Sequence, residues 1–248
     1  MRLAIANIAV FLVLKLLWLT APDGTVDAIV NLLALPSTPG QLIHTPWALL
    51  TYMFIHIDFW HLVINCLWLA WFGALLSEVA GRRWLLADFL AGGLAGALMF
   101  MIVAPMASAG SACLLGSSAA VFAVITATLI SAPQKRVTLA LIGAFSLRWI
   151  AAVGMILFFL ASIEMEPSQT AAHLGGIAVG IISSIIWRLH TRRDMETMKN
   201  LTRNRLDHLA LIDKVNRSGY SSLSRQEQLR LFNLSTGNRS GHVSATRR

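Results

Sequence analysis

The residues able to do chemistry sit at the heads of apolar runs. His56 precedes the run "HLVIN", in which His61 and Asn65 lie four residues apart and share one helix face. Ser117 and Ser118 follow Gly116 in "LLGSSAAVFA". His173 opens "HLGGIAVG", and Gly176 and Gly180 fall on the same face of that helix. A serine hydroxyl is a weak nucleophile until a base takes its proton, and histidine is the usual base. A serine at a helix N-terminus also lies beside unpaired backbone N–H groups, which with the helix dipole favour a developing oxyanion. These residue types suit acyl transfer by a Ser–His dyad. No acid is an evident candidate for a third member: Glu78 ends its run and Asp88 lies near the start of the next, both toward what the charge pattern makes the inner side, and Glu164 and Glu166 lie in a loop. Each feature also has a plainer use. His61 and Asn65 can be an interhelical hydrogen-bonding pair, His173 a satisfied buried donor, and Gly176-x-x-x-Gly180 a close-packing face. Gly92 and Gly96 repeat that glycine spacing with no histidine beside it.

The elements that must hold these residues follow from composition. The 248-residue chain is 56% hydrophobic and 13% charged, with a mean hydropathy of +0.66. Soluble domains carry about 25% charged residues, so this is the profile of a polytopic membrane protein. Six runs approach the ~20 residues that a crossing helix needs: approximately 3–21, 59–79, 84–105, 114–132, 148–163 and 170–188. The start of the fifth is the least defined, because "VTLALIGAFSL" ahead of it is apolar as well. The first is read as a retained span, not a signal peptide, since the run is long, is interrupted by Lys15 and lacks a small-x-small cleavage site. Cys66 and Cys113 make neither a disulfide framework nor a metal spacing. The expected fold class is all-α, a six-span bundle.

Charge sets the direction of the spans. Arg2, Arg82, Arg83, Lys135, Arg136, Arg148, Arg188, Arg192 and Arg193 lie at alternate ends, and the opposite loops carry no Lys or Arg. Basic loops stay in the cytoplasm, which places both termini inside. Spans two, four and six then all run inward from the outer surface. His61, Ser118 and His173 open those three spans, so residues far apart in sequence share one depth.

At this point the chain resembles the rhomboid family of intramembrane serine proteases over about residues 45–187. The family's histidine followed by His-x-x-x-Asn is similar to His56 and "HLVIN"; its Gly-x-Ser-Gly with trailing Ala-Val-Phe-Ala is similar to "GSSAAVFA"; its Ala-His-x-x-Gly-x-x-x-Gly is similar to "AHLGGIAVG". The trailing "AVFA" sets the register and makes Ser118, not Ser117, the counterpart of the nucleophile. The resemblance implies that His173 is the base and that the Ser118 backbone N–H, His61 and Asn65 form the oxyanion site. His56, Gly116, Ser117, Gly176 and Gly180 then support and line that site. Two departures stand out. Ala119 replaces the family's glycine after the serine, with an extra methyl placed to narrow the floor of the cavity. Ala48 follows Trp47 where the family often has arginine, which alters how that loop meets lipid or the core.

The resemblance implies an endopeptidase that cleaves transmembrane protein substrates within a lipid bilayer, near their outer end, with no cofactor or metal. His56, His61 and His173 lack the HExxH-like spacing and the carboxylate of a zinc site. The rival reading is a proteolytically inactive relative that binds membrane clients, which is expected to have lost the serine or the histidine. A small transporter is a third reading, and its polar residues are expected to continue through to the inner side.

Residues 1–187 hold seven Lys/Arg and seven Asp/Glu, while residues 188–248 hold thirteen and five, so the whole excess of +8 lies in the tail. After a membrane core this indicates a cytoplasmic, lipid-facing segment and not a nucleic-acid binder. Residues 189–234 read as a helical hairpin: Leu206, Leu209, Ile212 and Val215 recur at helical spacing, Gly219 marks the break, and Ser224 with Glu227 makes a capping box. Residues 235–248 are expected to be disordered.

Overall fold

The computed structural model describes residues 2–106, 113–132, 136–139, 143–147, 149, 152–154, 156 and 166–242. It is all-α apart from two short strand pairs. The chain divides into two compact units between Arg188 and Leu189.

In the first unit, α1 (Arg2–Thr20) leads into short helices α2 (Thr25–Leu33), α3 (Pro39–His44) and α4 (Ala48–Thr51). Then come α5 (Phe59–Val79), α6 (Arg82–Val103), α7 (Ser118–Ser131) and α8 (Pro167–Ser218). Among the described residues, α1, α5, α6 and α8 are long and apolar enough to cross a membrane. The core gathers between them around Tyr52, Met53, Phe72, Phe89 and Phe100, all fully buried.

Helix α7 starts later than the apolar run suggests. Gly116 adopts φ +100°, and Ser117 is the N-cap, so the helix begins at Ser118 and not at 114. Its 14 residues extend about 21 Å at 1.5 Å per residue. That is short of the ~30 Å hydrocarbon layer. The residues ahead of it are pinned by β2 (Cys113–Leu114), which pairs antiparallel with β1 (Leu35–Pro36), Leu35 opposite Leu114.

Two glycine seams clamp α7, and every residue from Ser118 to Thr128 is buried. On one side lies α6, where a Cβ at Gly92 would come within 2.3 Å of the Ala123 methyl and one at Gly96 within 2.5 Å of the Ala119 methyl. On the other lies α8, where a Cβ at Gly176 would come within 2.0 Å of the Ala119 carbonyl oxygen and one at Gly180 within 2.5 Å of that of Ala123. The Gly92/Gly96 spacing is therefore as structural as the Gly176/Gly180 one; having no histidine does not make it idle.

The apolar run ahead of the fifth expected span forms an antiparallel pair, β3 (Arg136–Leu139) with β4 (Gly143–Ser146). Short apolar runs fit strand and helix equally well by periodicity. The fifth span itself, 148–163, lies largely outside the described residues. Of its few described members, Gly154 is close to the Trp68 ring of α5, and a Cβ there would come within 2.7 Å of it.

In the second unit, α8 continues as helix to Ser218, since no glycine or proline interrupts residues 189–218. Gly219 turns the chain at φ +80° and α9 (Arg225–His242) follows. The capping box forms: the Ser224 N–H donates to Glu227 Oε2 at 2.8 Å and the Glu227 N–H to Ser224 Oγ at 3.3 Å. Lys214 Nζ donates to Glu227 Oε1 at 2.8 Å. That ammonium, with the Ser224 N–H, holds the Glu227 carboxyl down at about 2. Helix α9 runs past 235, where an unstructured end is expected, because extending a capped helix by one residue forms one more bond per residue ordered. Residues 243–248 lie outside the described set.

Candidate active site

Ser118 Oγ and His173 Nε2 are 2.8 Å apart, from the first residue of α7 to the second turn of α8. Both residues are buried. The Phe122 ring, one turn along α7, lies 5.2 Å from the His173 ring at 49° and limits its swing. The approach is possible because Gly176 and Gly180 remove side chains from the α7–α8 seam one and two turns below the histidine.

A second cluster sits beside this pair. Asp58 N-caps α5 by accepting the His61 N–H at 2.7 Å, which sets where His61 emerges. The His61 ring lies against Gly116, where a Cβ would come within 2.6 Å of its Cε1. Asn65 Nδ2 donates to the His61 carbonyl at 2.9 Å and lies 3.5 Å from His56 Nε2. The Ser117 N–H donates to the same His56 nitrogen at 3.4 Å, and Ser117 Oγ is 3.4 Å from it. The His56 and His61 rings meet edge to face, 5.2 Å apart. Burial, with the neighbouring His61 acting the same way, holds His56 down to about 4, so its ring is neutral at neutral pH.

The structure therefore brings Gly116, Ser117, Ser118 and His173 into one site with His56, His61 and Asn65. Gly176 and Gly180 lie behind it as packing residues. Two contributors have no counterpart in the sequence reading. Asp58 was accessible as an Asx N-cap three residues before His61. Tyr52 was not: its carbonyl accepts the Gly116 N–H at 3.0 Å and its hydroxyl donates to the Gly93 carbonyl at 2.7 Å, contacts 64 and 41 residues away. Tyr52 thereby joins α6 to the turn that carries the serine.

The Ala119 methyl does not narrow the cavity floor. It packs against Gly96 of α6, and Ala119 is 2% exposed. Gly96→Ala is expected to overpack this contact, at a cost of about 1–3 kcal/mol. Ala119→Gly should recover most of that loss, because the next obstacle, the Ala172 carbonyl oxygen, is 3.1 Å away. Thermal unfolding of the two single variants and the double variant in detergent measures this coupling. Equal losses from Gly96→Ala in both backgrounds would show that the methyl is housed elsewhere. Ala48 is likewise explained: it is fully buried, while Trp47 Nε1 donates to the Leu32 carbonyl at 2.9 Å. An arginine at 48 would have its charge in the core.

The arrangement can do one kind of chemistry well: a hydroxyl beside an imidazole, at a helix N-terminus, among neutral hydrogen-bond donors. A family model described as the Rhomboid domain matches residues 44–190. A comparison with curated proteins gives no match.

Proposed function

The chain belongs to the rhomboid family, and on that basis we propose that it is an intramembrane serine endopeptidase working through the Ser118–His173 dyad. The observation that carries the proposal is the 2.8 Å contact between Ser118 Oγ and His173 Nε2, inside the matched domain of a multi-pass membrane protein. His173 takes the Ser118 proton as Oγ attacks the scissile carbonyl. The tetrahedral oxyanion is received by the Ser118 N–H, Asn65 and His61, and each such donor is typically worth about 10²–10³ in rate. His173 then returns the proton to the leaving amine, and water resolves the acyl-enzyme by the same route in reverse.

The substrate is a transmembrane protein whose helix unwinds near the cut. A regular helix keeps its carbonyls in internal hydrogen bonds, so helix-weakening residues must expose the scissile one. With basic loops inside, both termini are cytoplasmic and the site opens toward the outer face of a cell membrane.

The test is labelling of the detergent-solubilised chain with a serine-directed fluorophosphonate. Parent and Ser117→Ala should take the label; Ser118→Ala should not, and should lose cleavage of a model transmembrane substrate with it. A folded parent that neither labels nor cleaves would favour a client-binding relative. Equal labelling of all three would show that the probe reports another nucleophile.

A further inference from the structure

Within the protease reading, which this inference deepens, the Ser118 N–H can serve the oxyanion only if the turn ahead of α7 is held still. That turn contains Gly116 at φ +100°, the most permissive residue available, so its peptide planes need external anchors. Three successive planes have them. The Gly116 N–H donates to the Tyr52 carbonyl at 3.0 Å. The Ser117 N–H donates to His56 Nε2 at 3.4 Å. The Ser117 carbonyl accepts the Val121 N–H at 2.9 Å, which fixes the plane carrying the Ser118 N–H. Only the middle anchor is a side chain.

That side chain also faces the oxyanion amide. A ring nitrogen that accepts an N–H is unprotonated, so His56 carries its hydrogen on Nδ1 and offers a lone pair at Nε2. Asn65 Nδ2 lies 3.5 Å from this lone pair while donating to the His61 carbonyl at 2.9 Å. An inverted Asn65 amide would set its oxygen against both acceptors. His56 itself is 1% exposed and does not reach Ser118 or His173 by any hydrogen bond among the described residues.

We propose that His56 is a positioning residue of the oxyanion site: its Nε2 lone pair anchors the Gly116–Ser117 peptide and the Asn65 amide together. The donors Ser118 N–H and Asn65 Nδ2 thereby keep a fixed mutual geometry. The contact to Asn65 is at the limit of hydrogen-bonding distance, so the amide hydrogen can turn to the oxyanion as charge develops while the Ser117 anchor stays.

The test is steady-state cleavage of a model transmembrane substrate by the full chain in detergent, comparing His56→Leu with His56→Gln. Leucine keeps bulk without an acceptor; glutamine restores an acceptor oxygen. The expected result is a kcat about 10–100-fold lower for leucine, the scale of a ~1 Å misplacement. KM should stay within about threefold, and glutamine should recover most of the loss. Equal kcat for the two variants, or a change confined to KM, would overturn the role. If the leucine variant does not fold, His56→Ala is assayed with added imidazole and with pyrrole, a similar ring without an acceptor nitrogen. Rescue by imidazole alone supports the role, and rescue by both or neither overturns it. A folded parent without Ser118-dependent cleavage would overturn the protease reading, and the role of His56 with it.

Discussion

Replacing either Ser118 or His173 with alanine should slow cleavage of a transmembrane substrate by on the order of 10⁴–10⁶, and replacing both should slow it no further. The non-additivity is the informative part. In the proposed mechanism Ser118 Oγ and His173 Nε2, 2.8 Å apart, act as one device: without the base the hydroxyl stays protonated, and without the hydroxyl the base has nothing to activate. Removing the second member of a broken pair therefore costs nothing more. What remains should be the rate supported by binding and the oxyanion donors alone. The measurement is single-turnover cleavage by the parent, the two single variants and the double variant, each checked for folding by thermal unfolding in detergent. Losses that multiply in the double variant would mean that the two residues act in separate steps. An active His173→Ala chain would assign the base elsewhere.

How much of this was legible beforehand depends on the kind of contact. Apolar run length, alternating basic loops and three polar residues at the heads of alternate spans placed His61, Ser118 and His173 together, because a bilayer restricts the arrangements open to such a chain. The local signals were also readable: the Asn65 spacing, the capping box at Ser224 and Glu227, and the glycine seam of α8. Contacts without a periodic or local signature were not. The carbonyl of Tyr52 holds Gly116, yet nothing about a tyrosine 64 residues upstream announces it. The fate of the Ala119 methyl depends on which glycine faces it, and the sequence spacing of Gly92 and Gly96 does not say which helix they meet. The start of α7 differs from the start of the apolar run because apolarity cannot register a backbone turn. Gly116 reveals one only once its φ is known.

The same geometry bears on the transporter reading. That reading expects polar residues to continue toward the inner side, and buried polar groups do occur away from the Ser118–His173 pair. Asp88 on α6 is 2% exposed, and Thr126 and Thr128 of α7 and Ser184 of α8 are buried as well. A transporter needs an aqueous route between such levels. Along the α7–α8 seam the glycines that would otherwise leave room are filled by the neighbouring backbone: Ala119 against Gly176 and Ala123 against Gly180. Two of the lower hydroxyls are engaged with helix carbonyls, Thr128 with those of Phe72 and Val124 and Ser184 with that of Gly180. That seam fastens the two helices together.

It is also where the largest structural effect is expected. Gly176→Ala should lower the unfolding temperature in detergent and reduce cleavage by at least about 10², the scale of a ~1 Å displacement of reacting groups. A Cβ at this position would meet the Ala119 carbonyl oxygen at 2.0 Å, its carbonyl carbon at 2.8 Å and its Cα at 3.2 Å. All three are backbone atoms of α7, so no rotamer change relieves them and α8 must move away. His173 lies three residues before Gly176 and moves with it, lengthening the bond to Ser118, which immediately precedes Ala119. The control is Ala119→Gly. It should rescue Gly96→Ala, whose obstacle is the Ala119 methyl, and should leave Gly176→Ala unrescued, because the carbonyl remains. One residue thus presents a removable atom to α6 and an irremovable one to α8. Rescue of both glycine variants by Ala119→Gly would mean that α7 yields as a body, and that its two seams do not separately set the catalytic distance.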